Sequence, residues 1–483
     1  MVVNSISFLL FFVVVFIVYY LPVCRNNPRY QNTWLLLVSY FFYGYTDWRM
    51  VPLLLGAILV FYFLGLWLRR EMDQKHTRNA SRITSFSVVL GIAILFYFKY
   101  LNFFADSFAN ILQAVGFQVS WTTLNILLPI GVSFFTFKLI SYIIEIHREH
   151  IEPCSLLDFA TYISFFPTIL SGPIDRPNQF LPQLQHVHIL DYSFAADGCR
   201  QILWGMFTKM CIADNLATIT DQAWLSYDAA SSLTLLVAAL LYPVQLYADF
   251  DGYSNMAIGV GKILGFDITR NFNHPFLARN MAEFWRRWHM SLTSWITDYV
   301  FMPLNIAFRE MGNWGISLAA IINLLVIGFW HGANWTYGAF GLYHGLLFVP
   351  LVFSGAFGKK KKLKTSTYGL PLRKDFLKML GTYGLVTIGL TVFRAPSIGE
   401  AFSYFWALFT NGTGSCYIDS YGYLYCLFAI FLLMLEWIQR DKEFGNPATL
   451  MHSRICRWTL YLFLILLIIT FTGKSQAFIY FQF

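Results

Sequence analysis

The fold class this chain predicts is an all-α polytopic membrane protein, and three observations carry that reading. Hydrophobic residues make up 57% of the 483 residues and charged residues only 12%, about half the charged share of a soluble chain. The mean hydropathy is +0.54. The apolar stretches are long and repeated, and the short loops between them collect the Lys and Arg residues, as cytoplasmic loops do. The spacing predicts about twelve transmembrane crossings, with re-entrant and interfacial helices besides. The net charge of +8 follows from the loop pattern, so nucleic acid is not an expected partner, whereas membrane lipid is. Seven scattered cysteines without a CxxC pair suggest neither a zinc site nor a disulfide framework, and no metal or bound cofactor is expected.

The first span is expected at about Phe8 to Pro22. No small-residue cleavage site follows it, so it reads as a retained span rather than a signal peptide. Apolar runs at Trp34 to Tyr45 and Val51 to Leu68 lead to the basic loop Arg69 to Arg82, which is cytoplasmic by the positive-inside rule. A fourth span, Ser85 to Phe104, leads out to a loop from Ala105 to Asn125 that has no Lys or Arg, and a fifth, Leu127 to Ile146, returns. Pro167, Pro173, Pro177 and Pro182 forbid a continuous helix after Leu156, so Leu156 to Leu170 reads as a re-entrant segment. Helices follow at Gly198 to Asp214 and Ser232 to Asp249.

In the stretch Gln245 to Phe266, Asp249 and Asp251 stand beside Ser254 and Asn255. A carboxylate pair can do acid/base work, but the pattern fits better a helix boundary, with Asp251–Gly252 as a turn and Ser254 as a cap. Asp251, Ser254 and Asn255 are kept as pocket candidates. Gly259, Gly261 and Gly265 suit close helix packing rather than phosphate binding.

The chain is organised around residues 283–345. In Glu283 to Leu304, residues Trp285, Trp288, His289, Leu292, Trp295, Ile296 and Tyr299 recur at helical spacing, which predicts one amphipathic helix with a tryptophan face suited to the membrane interface. The run Ile322 to Gly345 is apolar enough to sit in a bilayer yet carries His331 near its middle, with Trp330 before it and Gly332, Ala333 and Asn334 after it. Such a histidine can simply join two helices by a hydrogen bond. It can also stay neutral and act as a general base. The strongly basic segment Gly358 to Lys374 places a further loop inside, and the last three spans are Leu377 to Phe393, Tyr421 to Ile438 and Thr459 to Phe471. Both termini then fall outside. Residues 1–471 read as one integral membrane domain with a central block at 245–345, and 472–483 as an external aromatic tail.

These residues also resemble a known family. The histidines of the RRWH and WHG stretches are similar to the signature of the membrane-bound O-acyltransferases, in particular the bacterial branch that contains the alginate O-acetyltransferase membrane subunit and, more distantly, the D-alanyl transfer protein of teichoic acid. The Asp251 to Ser254 pattern and the segment Gly172 to Arg176 resemble that branch as well. The resemblance implies helices around a central tunnel, with His331 as the catalytic residue and His289 as the second motif histidine. It implies that the tail FIYFQF, otherwise an interfacial anchor, carries the acyl group as an ester on Tyr480. It also implies SGNH-type acetyltransferase partners outside the bacterial inner membrane.

The function expected is transfer of an acyl group, acetyl first among them, from a cytoplasmic thioester such as acetyl-CoA across the membrane, for O-acetylation of an extracytoplasmic polysaccharide. His331 would deprotonate the attacking hydroxyl, and His289 or Asn334 would orient the acceptor or stabilise the oxyanion. D-alanyl transfer to teichoic acid and peptidoglycan O-acetylation stay open. From other classes, a transporter for polysaccharide precursors would use His331 as a proton relay, but the two related halves common in transporters are not visible. A non-catalytic scaffold would need neither histidine.

Overall fold

The computed structural model describes residues 1, 3–117, 127–359, 363, 365–412, 414–416, 420–442, 451 and 453–472. Every regular element among these residues is a helix, with one isolated bridge between Thr365 and Pro371. By length and composition, eight of the described helices can cross a membrane, and the shorter Ile6–Tyr19 is apolar as well. The protein is therefore a multi-pass membrane protein. The crossings expected at about twelve are not all matched by helices of that length.

The chain forms two compact units, one of Met1–Ile202 with Met256–Thr269, the other of Leu203–Asn255 with Arg270–Phe483. In the first, Pro28–Thr46 starts on a proline, and the Asn27 side chain accepts from Arg29 N at 2.9 Å, so the helix opens with its end groups satisfied. Val51–Asp73 follows after a short turn. The fourth span, expected to end at Phe104, runs further: Thr77–Ala114 is a single path of 38 residues that passes through a π-turn at Phe96–Tyr100. Leu156–Ser164 is a helix as expected for a broken segment, and Pro177 opens the next, Pro177–Leu184. Between them the chain is anchored by buried polar groups. The Lys138 ammonium donates to Thr168 Oγ1 at 2.9 Å and to the Tyr162 carbonyl at 3.3 Å, and Asp175 accepts from Thr269 N at 3.0 Å. These bonds offset the cost of irregular backbone away from water. A Cβ on Gly259 would lie 2.6 Å from the Gly198 carbonyl oxygen, so this glycine does serve close helix contact.

Three expectations for the second unit are corrected. The helix thought to end at Asp249 continues as Ser232–Ile263, so Asp251–Gly252 is not a turn and Ser254 is not a cap. Gly252 serves a helix crossing instead: a Cβ there would lie 2.8 Å from the Gly205 carbonyl oxygen. The tryptophan-rich stretch is not one surface helix. It breaks into Met281–Trp285 and Met290–Ile296 at His289, whose φ is 43°, and Trp285, Trp288 and Trp295 are buried rather than interfacial. The run Ile322 to Gly345 is likewise two helices, Asn313–His331 and Trp335–Leu346. They pack tightly enough that a Cβ on Gly341 would meet the Leu324 carbonyl at 2.4 Å. His331 thus stands at a helix end, not in mid-helix.

Candidate active site

His331 ends its helix because Gly332 turns extended, at φ −174° and ψ 165°. The chain reverses through Asn334, the cap of Trp335–Leu346. Its side-chain oxygen accepts from Thr336 N at 3.1 Å, and its amide donates to the Pro396 carbonyl at 2.8 Å. Asn334 therefore fixes the turn that presents His331 and ties it to the segment after Arg373–Arg394. That segment's neighbour Phe393 lies edge-on to His331, with ring centres 5.1 Å apart, and Trp330 is edge-on at the same distance.

His289 reaches the same place from a strained backbone. The left-handed conformation costs a non-glycine residue roughly 1–2 kcal/mol. Two backbone bonds bracket it, from Met290 N to the Asn271 carbonyl at 2.7 Å and from Asn273 N to the Arg287 carbonyl at 3.0 Å. The ring is fully buried, with Phe250 at 4.6 Å, Trp330 at 5.6 Å and His331 at 6.3 Å between ring centres. Burial pushes the His289 imidazole down to about 3, so it stays neutral at physiological pH. Two imidazoles at this separation can both hydrogen-bond one oxygen placed between them, given bonds of about 2.9 Å.

The carboxylates of Ser232–Ile263 do not form a working pair. Residues two apart on a helix point about 200° away from each other. Asp249 turns to the buried Lys209, at 2.6 Å, which also binds Asp214 at 2.5 Å. Asp251 instead accepts from Asn255 Nδ2 at 2.8 Å and interacts electrostatically with Glu436, His274 and Arg270. Ser254 joins the histidine region: its hydroxyl accepts from Asn271 Nδ2 at 2.9 Å, and the Asn271 side-chain oxygen accepts from Ser291 at 2.5 Å.

Four residues beyond the sequence reading enter the picture. His344, fully buried, accepts from Trp285 Nε1 at 3.2 Å on Nδ1, which leaves its proton on Nε2. His274 has a φ of 48° and lies 3.9 Å from Glu436, the carboxylate that accepts from the Tyr247 hydroxyl. Asn271 supports the His289 backbone. The NFNHPF stretch and the GLYHG stretch held two histidines and an asparagine near the motif, and that proximity was the available signal. Tyr480 lies outside the described residues.

Residues 36–372 match the membrane-bound O-acyltransferase family. A protein of Pseudomonas aeruginosa named "Probable alginate O-acetylase AlgI" is 38% identical over 420 residues, 86% of this chain and 76% of that one. A peptidoglycan O-acetyltransferase of Helicobacter pylori is 29% identical, over 94% of this chain and 85% of its own. A teichoic acid D-alanyltransferase of Streptococcus thermophilus is 34% identical, over 60% of this chain and 75% of its own. With two motif histidines enclosed together in a multi-pass helical protein and a match across most of its length, the chain belongs to the membrane-bound O-acyltransferase family and is an O-acyltransferase.

Proposed function

We propose that this protein takes an acetyl group from a cytoplasmic thioester, acetyl-CoA, and delivers it through the membrane for O-acetylation of an extracytoplasmic polysaccharide. The observation that carries this reading is the meeting of His289 and His331 at 6.3 Å in a buried aromatic enclosure. His331 takes the proton of an attacking hydroxyl. The hydroxyl oxygen bonds to the thioester carbonyl carbon, the C–S bond breaks, and the imidazolium returns its proton to the departing thiolate. His289, held neutral by burial, suits hydrogen bonding to the reacting oxygen better than carrying the proton. Trp330 walls the space between the rings. Ser254 adjoins the His289 segment through Asn271, Asp251 and Asn255 stay pocket candidates on the same helix, and Asn334 sets the His331 turn.

The inner membrane of a bacterium, with both termini outside, is the setting that fits the distribution of basic loops. An external SGNH-type partner would pass the acyl group to the polysaccharide, with Tyr480 as carrier. The names of the alginate relatives favour alginate or a similar exopolysaccharide as acceptor. Peptidoglycan is the second reading, favoured by the Helicobacter pylori relative that aligns with 94% of this chain.

The test is label transfer from radioactive acetyl-CoA in purified, reconstituted protein, comparing wild type with His331→Ala and Tyr480→Phe. Label retained on wild type and lost in both variants supports a base and a carrier. Loss with His331→Ala alone keeps the acyltransferase and reduces the tail to an anchor. Absence of label and of acetyl-CoA turnover in every form, with membrane extract supplied as acceptor, would overturn the acetyl-CoA reading.

A further inference from the structure

Asn271 lies outside both histidine motifs, yet its bonds converge on the segment that presents His289. It is buried at 1% exposure. Its carbonyl accepts from Met290 N at 2.7 Å, on the residue directly after His289. Its side-chain oxygen accepts from Ser291 Oγ at 2.5 Å, one residue further on. Its side-chain nitrogen donates to Ser254 Oγ at 2.9 Å, on the long helix Ser232–Ile263. That helix also supplies Phe250, whose ring lies 4.6 Å from the His289 ring. One asparagine thus ties the helix on one side of His289 to the backbone that begins Met290–Ile296.

The need for such a tie follows from the backbone. His289 has a φ of 43° and a ψ of 52°, a conformation that persists in a non-glycine residue only where the surroundings over-determine it. An ordinary helical residue at this position would carry Trp288 and Met290 along one continuous helix and swing the imidazole to another bearing. The bond from Met290 N fixes the turn after His289, and the side-chain bonds through Ser254 and Ser291 fix Asn271 itself. Asparagine meets the requirement because its amide offers a donor and an acceptor at once. Leucine of similar size would leave both serine hydroxyls and the site buried without these bonds.

We propose that Asn271 is a positioning residue for the acyl transfer: through Ser254, Ser291 and the Met290 amide it holds His289 in the left-handed turn that aims its ring at His331. The inference rests on the role proposed above for His289. Small displacements of a reacting group by about 1 Å can cost on the order of 10²-fold in rate, so the expected effect is on turnover rather than on donor affinity.

The experiment is a double-mutant cycle on the reconstituted full chain, with acetyl-CoA as donor and the transfer rate and KM as readouts. Asn271→Ala is expected to lower kcat by about 10- to 100-fold with KM for acetyl-CoA within about twofold. It is expected to cost nothing further when His289→Ala is already present, because groups acting as a unit are not additive. Losses that multiply in the double variant would show that Asn271 acts on the general fold, and full activity of Asn271→Ala beside an inactive His289→Ala would remove its role; either overturns the inference alone. Full activity of His289→Ala overturns the His289 role and the inference together. Should Asn271→Ala fail to fold, Ser291→Ala removes one of the three bonds with little change in volume, and the same cycle with His289→Ala decides the question.

Discussion

His331 and His289 share an aromatic enclosure but depend on different local devices, a helix end closed by Gly332 and Asn334 for one and a left-handed turn for the other. Their roles separate accordingly. On the proposed chemistry His331 is the general base, so His331→Gln, a group of similar size that cannot take up a proton, should lower transfer from the proposed donor acetyl-CoA by about 10²–10⁴-fold, while the thermal unfolding midpoint stays close to wild type. His289 makes a prediction about pH. Its folded value of about 3 lies below the unfolded value of about 6.5, so the unfolded chain binds a proton that the folded chain refuses. The stability of the neutral ring is then fully present above pH ~6.5 and declines as the pH falls toward 3, by at most about 1.4 kcal/mol per pH unit. Thermal unfolding at about pH 7.5 and about pH 5 should show a smaller pH-dependent loss in His289→Gln than in wild type. Equal losses in the two proteins would mean that His289 titrates normally.

At the level of the element, Gly252 offers the sharpest test. A Cβ there would stand 2.8 Å from the Gly205 carbonyl and 2.9 Å from Lys209 N, both backbone atoms. Gly252→Ala should therefore destabilise by about 1–3 kcal/mol, the usual range for overpacking, and it should do so through a shift of the helix that carries Asp249 and Asp251. Thermal unfolding of the purified variant checks it, and an unchanged midpoint would mean that the two backbones separate at little cost. The same residue shows why the element was only partly legible in the sequence. Asp-Gly is a strong turn signal, and nothing local reveals that a neighbouring helix will fill the space that the missing side chain leaves. His289 failed in the opposite sense. Trp285, Trp288 and Trp295 are all buried, so the apolar character of the stretch was legible, but they do not share one helix: the break between them is closed by Asn271 and Asn273, bonds that depend on tertiary placement. His331 could be singled out because an ionisable side chain is costly in an apolar run, and His289 because its RRWH stretch resembles the family signature. Glu436 could not, because it carries no pattern until its partners are known.

For the molecule as a whole the proposed function sets a direction. The proposed donor, acetyl-CoA, is cytoplasmic, whereas the proposed acceptor lies outside the membrane. The reading therefore needs the basic segment 358–374 inside and Tyr480 outside. The charge distribution supports that assignment: Lys359, Lys360, Lys361, Lys362, Lys364, Arg373 and Lys374 crowd one stretch of sequence, while the tail 472–483 carries a single lysine, Lys474, and positive segments beside membrane spans stay in the cytoplasm. A phenol leaves more readily than an aliphatic alcohol, so an acetyl-tyrosine facing outward would be ready for onward transfer to a partner's hydroxyl. In a variant stripped of its native cysteines, Ser366→Cys should react with a membrane-impermeant maleimide only from the cytoplasmic face and Gln482→Cys only from the outer face. Labelling of Gln482→Cys from the cytoplasmic face would leave Tyr480 on the wrong side for a relay. The acyl group would then have to pass directly from the His331 site to its acceptor, and Tyr480→Phe should leave polysaccharide acetylation at the wild-type level.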